Sequence, residues 1–280
     1  MESKDDFPAP ILCAHLLRKV DAGLLELLGC LRADEWDLAT VAPHWQVRDV
    51  AAHLLDTVLR KLSLVRDRWS VEEPAIRSPR DLATLVNRLN REGVTVFRRL
   101  SPSILISCMS LACRESAEFH ESLDPFAPAA FAVSWAGEER SLNWFDTARE
   151  LTERWHHQQQ IRLATGRHGL MIPELYHPVL DCFMRGLPHA YRRVEAQPGT
   201  VVRVEVSGDC GGVWQIEREA PNWVLVRPQD RWDSRIVVPQ EIAWRVFTRG
   251  IPQAEAEMQV RIEGNREIGV HVLKATAIVA

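Results

Sequence analysis

Glu153 and His157 stand four residues apart in the run Asn143-Trp144-Phe145-Asp146-Thr147-Ala148-Arg149-Glu150-Leu151-Thr152-Glu153-Arg154-Trp155-His156-His157. In a helix that spacing puts both side chains on one face, with Cβ atoms roughly 5–6 Å apart. A carboxylate oxygen and an imidazole nitrogen so placed can reach one divalent ion at roughly 2.0–2.2 Å each. A third ligand must come from another element. His53, in the run His44-Trp45-Gln46-Val47-Arg48-Asp49-Val50-Ala51-Ala52-His53-Leu54, is the candidate, because it falls mid-helix beside small residues. Ala51 and Ala52 would leave room there for an ion and a substrate. Two imidazoles and one carboxylate leave a coordination position open, which suits catalysis, since structural zinc sites are closed by four protein ligands.

Periodicity alone also supports a plainer reading. At about 100° per residue, Asp146, Glu150, Glu153 and His157 share one side of a helix, opposite Trp144, Ala148, Leu151 and Trp155. Such a polar stripe is usually a solvated surface. His53 lies at the flank of its apolar stripe, beside Val50 and Thr57. His156 is a rival ligand to His157, and Glu150 a rival to Glu153.

The elements that must hold these residues follow from spacing. Helical periodicity runs through 11–31, 46–69 and 80–99, and after Pro102 to about 122. The stretch 124–142 contains Pro125, Pro128 and Gly137 and reads as a loop with a short extended piece. A long helix spans about 142–165 and stops at Gly166, a residue suited to a C-cap. Helices of this length in series predict a bundle. Beyond about residue 170 a helix at 174–192 precedes strands of period two: Thr200–Val206, Val213–Glu217, Trp223–Arg227 and Arg235–Val238. Gly211-Gly212 reads as a hairpin turn. Pro239 opens a helix through Arg249, Met258–Ile262 is a last strand, and a short terminal helix follows.

Composition excludes several classes. Of 280 residues, 46% are hydrophobic and 26% charged, a globular balance, and the formal charge of −4 is not gathered into runs. No basic stripe marks a nucleic-acid partner. The acidic opening Met1–Asp6 lacks an apolar core, so no signal peptide is expected, and no apolar run is long enough for a membrane span. Six cysteines without a C-x-x-C pair fit reduced thiols and a cytoplasmic protein. The ten tryptophans fit an aromatic-lined cleft or buried packing alike. Gly208–Gly212 joins two strands and lacks the helix start that a phosphate cradle needs. No Ser-His-Asp or Gly-x-Ser-x-Gly pattern occurs. His120, His168, His177, His189 and His271 have no partner at ligand spacing.

The run Trp45-Gln46-Val47-Arg48-Asp49-Val50-Ala51-Ala52-His53-Leu54 resembles the metal-binding helix of the DinB-like superfamily. It is most similar to the N-terminal domain of the mycothiol-dependent maleylpyruvate isomerase family. Glu153-Arg154-Trp155-His156-His157 resembles that family's ligand pair. The resemblance implies an α+β multidomain fold: a DinB-like bundle of four main helices over 1–170, and a smaller sterol-carrier-like α+β domain over 171–280. The second domain's likeness is carried by Trp214, Ile236-Val237-Val238-Pro239 and Trp244–Gly250.

It also implies that His53, Glu153 and His157 hold a divalent ion, zinc first, with nickel, iron or manganese compatible with the same ligands. A low-molecular-weight thiol, mycothiol or else bacillithiol or glutathione, would attack an electrophilic carbon of a small-molecule substrate, as an isomerase or S-transferase does. Arg249 and Arg245 would neutralise substrate carboxylates. The family often has Asp where Gln160 stands, a departure bearing on the metal's surroundings. The alternatives are a metal-assisted hydrolase using water and a non-catalytic small-molecule-binding or stress-response protein.

Overall fold

The computed structural model describes residues 7–71, 76 and 78–277. The opening Met1–Asp6 and the last three residues of the expected terminal helix lie outside them. The chain divides into two compact units: Leu12–Ala132 with Ser141–Leu170, and Val133–Arg140 with Met171–Ile278 and the start of the chain. Each is described by itself.

The first unit is helical: α1 (Leu17–Gly29), α2 (Val47–Lys61), α3 (Pro79–Phe97), α4 (Pro102–Ser122) and α5 (Asn143–Thr165). The helices α1, α2, α4 and α5 pack together as the four main members of the bundle, and α3 lies along α2. Their shared core joins Leu24, Leu28, Val50, Leu54, Val58, Leu105, Met109 and Ile161. Helix ends follow sequence chemistry. The Ser78 side chain accepts from Asp81 N at the start of α3. Gly166, left-handed at φ 65°, stops α5. The helix expected over 46–69 leaves α geometry after Lys61 for a wider π turn, Leu62–Arg66.

Ala51 and Ala52 are fully buried in the core. Their small size serves helix packing and leaves no open space, contrary to the sequence expectation.

The second unit carries a five-stranded sheet in the order β3-β2-β1-β4-β5. Its strands are β1 (Val201–Ser207), β2 (Gly212–Glu219), β3 (Asn222–Val226), β4 (Ser234–Pro239) and β5 (Arg261–Gly264). β1 and β4 are parallel and the other pairs antiparallel, and β1 and β2 form the expected hairpin. Val202, Val204, Ile236 and Val238 point inward with period two. Arg235 on the other face pairs with Glu205 at 2.8 Å and Glu263 at 2.9 Å.

Three sequence expectations shift in this unit. The helix expected over 174–192 is broken at Arg185-Gly186 into α6 (Pro173–Met184) and α7 (Leu187–Tyr191). The helix after Pro239, α8 (Gln240–Phe247), stops before Arg249, which is left-handed at φ 56°. Met258 belongs to α9 (Gln253–Gln259), so the last strand starts three residues later than its spacing suggested, and α10 (Arg266–Gly269) follows. Tyr176 ties α6 to α8, its hydroxyl donating to Gln240 O at 2.8 Å and accepting from Trp244 N at 3.1 Å.

Candidate metal centre

The start of α2 is fixed by its own sequence. Gln46 N donates to Asp49 Oδ2 at 3.0 Å, a capping box that aims the helix. Just before it, Thr40 N and Thr40 Oγ1 both donate to Trp45 O, at 3.0 and 2.9 Å. His44 takes a left-handed φ of 68° in that turn. The turn sets the Trp45 indole beside His53, ring centroids 4.8 Å apart, and 6.2 Å from His157.

His53 on α2 and Glu153 and His157 on α5 each offer a ligand atom within 4.8 Å of the others. The imidazoles of His53 and His157 meet edge to face at 4.6 Å. His157 Nε2 lies 3.4 Å from Glu153 Oε2. A quarter of the Glu153 side chain is exposed (25%), so the cluster is reached from solvent rather than sealed.

Three observations bear on whether these residues fit a cation. His53 Nδ1 is buried and has no hydrogen-bond partner, a costly state for a lone polar atom. Burial and the neighbouring His157 push the His53 imidazole well below its ordinary pKa, so it is neutral and offers a lone pair. His157 faces an acceptor oxygen at each ring nitrogen, Gln160 Oε1 2.9 Å from Nδ1 and Glu153 Oε2 3.4 Å from Nε2. Burial works against the charge of Glu153, but the bond to His157 and the charge of Arg149 hold its pKa down to about 2. A ring with one N–H can donate to only one of the two oxygens, and a cation beside Nε2 would meet both a ring lone pair and the Glu153 carboxylate. The donor set therefore fits a divalent ion.

The rivals are placed elsewhere. Glu150 Oε2 accepts from Lys61 Nζ at 3.0 Å, and Lys61 also reaches Asp146 Oδ2 at 2.9 Å. Arg154 pairs with Asp21 at 2.5 Å and donates to Ser116 Oγ at 2.6 Å. Glu150 is thus committed to a buried ionic network spanning α1, α2, α4 and α5. His156 Nδ1 donates to Thr152 O at 2.8 Å, and His156 is not among the three converging residues.

The polar side of α5 is not a solvated stripe, for Asp146 and Glu150 are each 4% exposed and His157 8%. Sequence reasoning missed Trp45 and Lys61 as parts of this region. Lys61 stands eight residues after His53, two helical turns on the same face, and that spacing was the available signal.

Arg245 and Arg249 belong to the sheet-bearing unit. Arg245 is half-buried, its Nε donating to Gly250 O at 3.0 Å, and Arg249 is exposed. Among the described residues no helix is long and apolar enough to cross a membrane.

Comparison with known proteins gives the fold its context. The crystal structure of a mycothiol-dependent maleylpyruvate isomerase superposes with a TM-score of 0.52 at 10% identity, covering 83% of this chain and 86% of that one. A histidine-to-alanine mutant of a mycothiol-dependent maleylpyruvate isomerase gives 0.53, with the same identity and coverage. No curated protein sequence matches. Residues 17–162 match the family model of the mycothiol maleylpyruvate isomerase N-terminal domain. That match spans more than half of the chain and contains all three converging residues, so the protein belongs to this family.

Proposed function

We propose that the protein is a divalent-metal-dependent isomerase or S-transferase that uses a low-molecular-weight thiol, a reading supported by structural relatives that are named mycothiol-dependent maleylpyruvate isomerases. The observation that carries the reading is the convergence of His53, Glu153 and His157 with the buried, unpartnered Nδ1 of His53. A divalent ion with an open position lowers the pKa of a thiol bound to it, supplying thiolate at neutral pH. Zinc suits two imidazoles and a carboxylate best, and mycothiol is the thiol of first choice.

The chain's own residues do the rest. His53, held neutral by burial, offers a nitrogen lone pair. Glu153 brings the one negative charge of the ligand set and is the member that solvent and small molecules reach. Trp45 covers both imidazoles on one side and excludes water there. A cavity of about 420 Å³, lined by Thr40, His44, Trp45, Gln46, Asp49 and Arg98, lies against the same indole and offers room for the non-reacting part of a small ligand.

Metal analysis of the purified protein, paired with turnover of maleylpyruvate in the presence and absence of mycothiol, tests the reading. About one ion per chain and thiol-dependent turnover are expected, both lost on His53→Ala. A chain that purifies without metal and takes none up would overturn it. Turnover without thiol would favour a hydrolase.

A further inference from the structure

His157 has two ring nitrogens, and each faces a different partner. Nδ1 meets Gln160 Oε1 at 2.9 Å, and Nε2 meets Glu153 Oε2 at 3.4 Å. Gln160 is buried, 4% exposed, and the bond to His157 is its only side-chain hydrogen bond among the described residues. An amide is unlike a carboxylate in this position. Turned by half a rotation about its last bond, it presents an N–H where it had presented an oxygen.

Two states follow. With Oε1 toward the ring, Nδ1 carries the proton and Nε2 is a free ligand facing Glu153. With the amide reversed, Gln160 Nε2–H donates to Nδ1, the proton sits on His157 Nε2, and that N–H points at Glu153. The second state satisfies Glu153 without a metal and closes the ligand position of His157. Passing from the second to the first moves one proton off Nε2 and one onto Nδ1, so the imidazole stays neutral and no net proton is taken up.

We propose that Gln160 is a positioning residue that selects the tautomer of His157, and that its reversible amide holds the metal-free chain in two states, lowering the affinity of the site for its ion. The first part depends only on the Gln160–His157 contact, and the second rests on the metal reading above. A carboxylate at residue 160 can only accept, so it would fix the proton on Nδ1 and prepare Nε2. An apolar side chain would leave Nδ1 with no partner at all. Partners of metal-ligating imidazoles typically change affinity 10–100-fold.

The test uses the full chain and its Gln160→Glu and Gln160→Met variants. Zinc affinity is measured by competition with a chromogenic chelator. Ring ¹⁵N shifts of His157 are measured in the metal-free proteins, with His157→Ala identifying the signal. The expected order of affinity is Glu, then Gln, then Met, with steps of about tenfold. The metal-free parent should show averaged or doubled His157 nitrogens, and Gln160→Glu a single Nδ1–H tautomer. Affinities within about threefold of one another would overturn the affinity claim. A single, identical tautomer in the parent and both variants would overturn the positioning role. If the parent binds no zinc, the metal reading fails by itself, and the nitrogen shifts still decide whether Gln160 sets the tautomer.

Discussion

The indole of Trp45 lies over the imidazole of His53, their ring centroids 4.8 Å apart and their planes inclined by 51°. The contact joins a loop residue to a helix residue eight positions later, and the Thr40 bonds to Trp45 O keep the loop in place. Removing the ring opens the buried side of His53 to water. Trp45→Ala should therefore raise the rate at which a chelator strips the ion several-fold. It should cost about 1–2 kcal/mol of stability, less than a fully buried tryptophan because Trp45 is half-buried. Trp45→Phe keeps an aromatic face and should behave close to the parent. Chelator-stripping kinetics and urea denaturation of the three proteins check this, and equal stripping rates for the alanine variant would remove the cover from the account.

The buried ionic network below the site makes a second expectation. Lys61, 7% exposed, is within 3.0 Å of both Asp146 and Glu150. Lys61→Met leaves two carboxylates facing each other with Arg149 and Arg154 as the remaining cations. Breaking a buried pair by deleting one partner typically costs about 3–5 kcal/mol. The midpoint of urea unfolding should fall accordingly. The double change Lys61→Met with Glu150→Gln, which removes one uncompensated charge, should recover part of the loss.

The same network fixes the acid side of the stability profile. Burial acts to raise the pKa of Asp146 and Glu150, and Lys61 and Arg149 outweigh it, holding Asp146 at about 2 and Glu150 well below its ordinary range. Both groups are thus more acidic folded than unfolded. Their contribution is complete above the ordinary carboxylate range, roughly pH 4–5, and is lost as pH falls toward 2. Unfolding free energy should be flat in their account from pH 7 to 5 and drop below 4. In Lys61→Met the cation that most depresses both is gone, so their folded pKa values rise toward the unfolded ones and the acid-side drop should be smaller, from an already lower stability at pH 7. Urea midpoints measured from pH 7 to 3 decide it, and identical profiles for the two proteins would contradict the assignment.

Much of the site could be read before the fold was known, and the part that could not has a physical cause. Glu153 and His157 announce themselves by a four-residue spacing, and Gly166 marks where their helix ends. His53 could be put forward from its mid-helix place beside Ala51 and Ala52, but only resemblance favoured it over a plain surface reading, because nothing in local periodicity says which helix packs beside α5. The polarity of α5 misleads for a related reason. Asp146 and Glu150 read as solvent-facing residues, yet they are buried because Lys61, far away in sequence, completes their charges, as Asp21 and Ser116 do for the buried Arg154. Periodicity counts a charge as exposed and cannot see the partner that lets it go inside. Ala51 and Ala52 mislead in the opposite sense, since small residues serve close packing as readily as a cavity. In the sheet-bearing unit the errors are local: Gly186 breaks a helix, and Met258 falls in a helix whose short length carries too few residues to show a period.

Metal binding should be visible as stability. An ion that binds the folded chain alone adds about 2.7 kcal/mol at a free concentration a hundred times its dissociation constant. Thermal unfolding of metal-stripped protein should shift upward on zinc addition and return with chelator. His157→Ala and Glu153→Gln should lose the response. Glu150→Gln should keep it, although less stable, because Glu150 belongs to Lys61 and not to the ligand set. Loss of the zinc response in Glu150→Gln would reassign the carboxylate ligand.

Gly93 supplies a test of how α3 is held against α2. A Cβ built on Gly93 would lie 2.2 Å from Asp56 Cγ, so the two helices approach where no side chain stands between them. Asp56 is itself fixed there, 16% exposed and 3.3 Å from Arg60, whose guanidinium also donates to Asn90 Oδ1 on α3 at 2.8 Å. Alanine at residue 93 gains helix propensity of about 1 kcal/mol over glycine. It also forces Asp56 from its place or drives the helices apart, which costs about 1–3 kcal/mol in a packed interface. The net effect of Gly93→Ala should be a loss of about 1 kcal/mol. Adding Asp56→Ala removes the colliding atoms, so the double variant should be more stable than Gly93→Ala alone. A double-mutant cycle in urea reads the coupling directly: additive losses would show that Gly93 and Asp56 do not meet, and α3 would then need another anchor on α2.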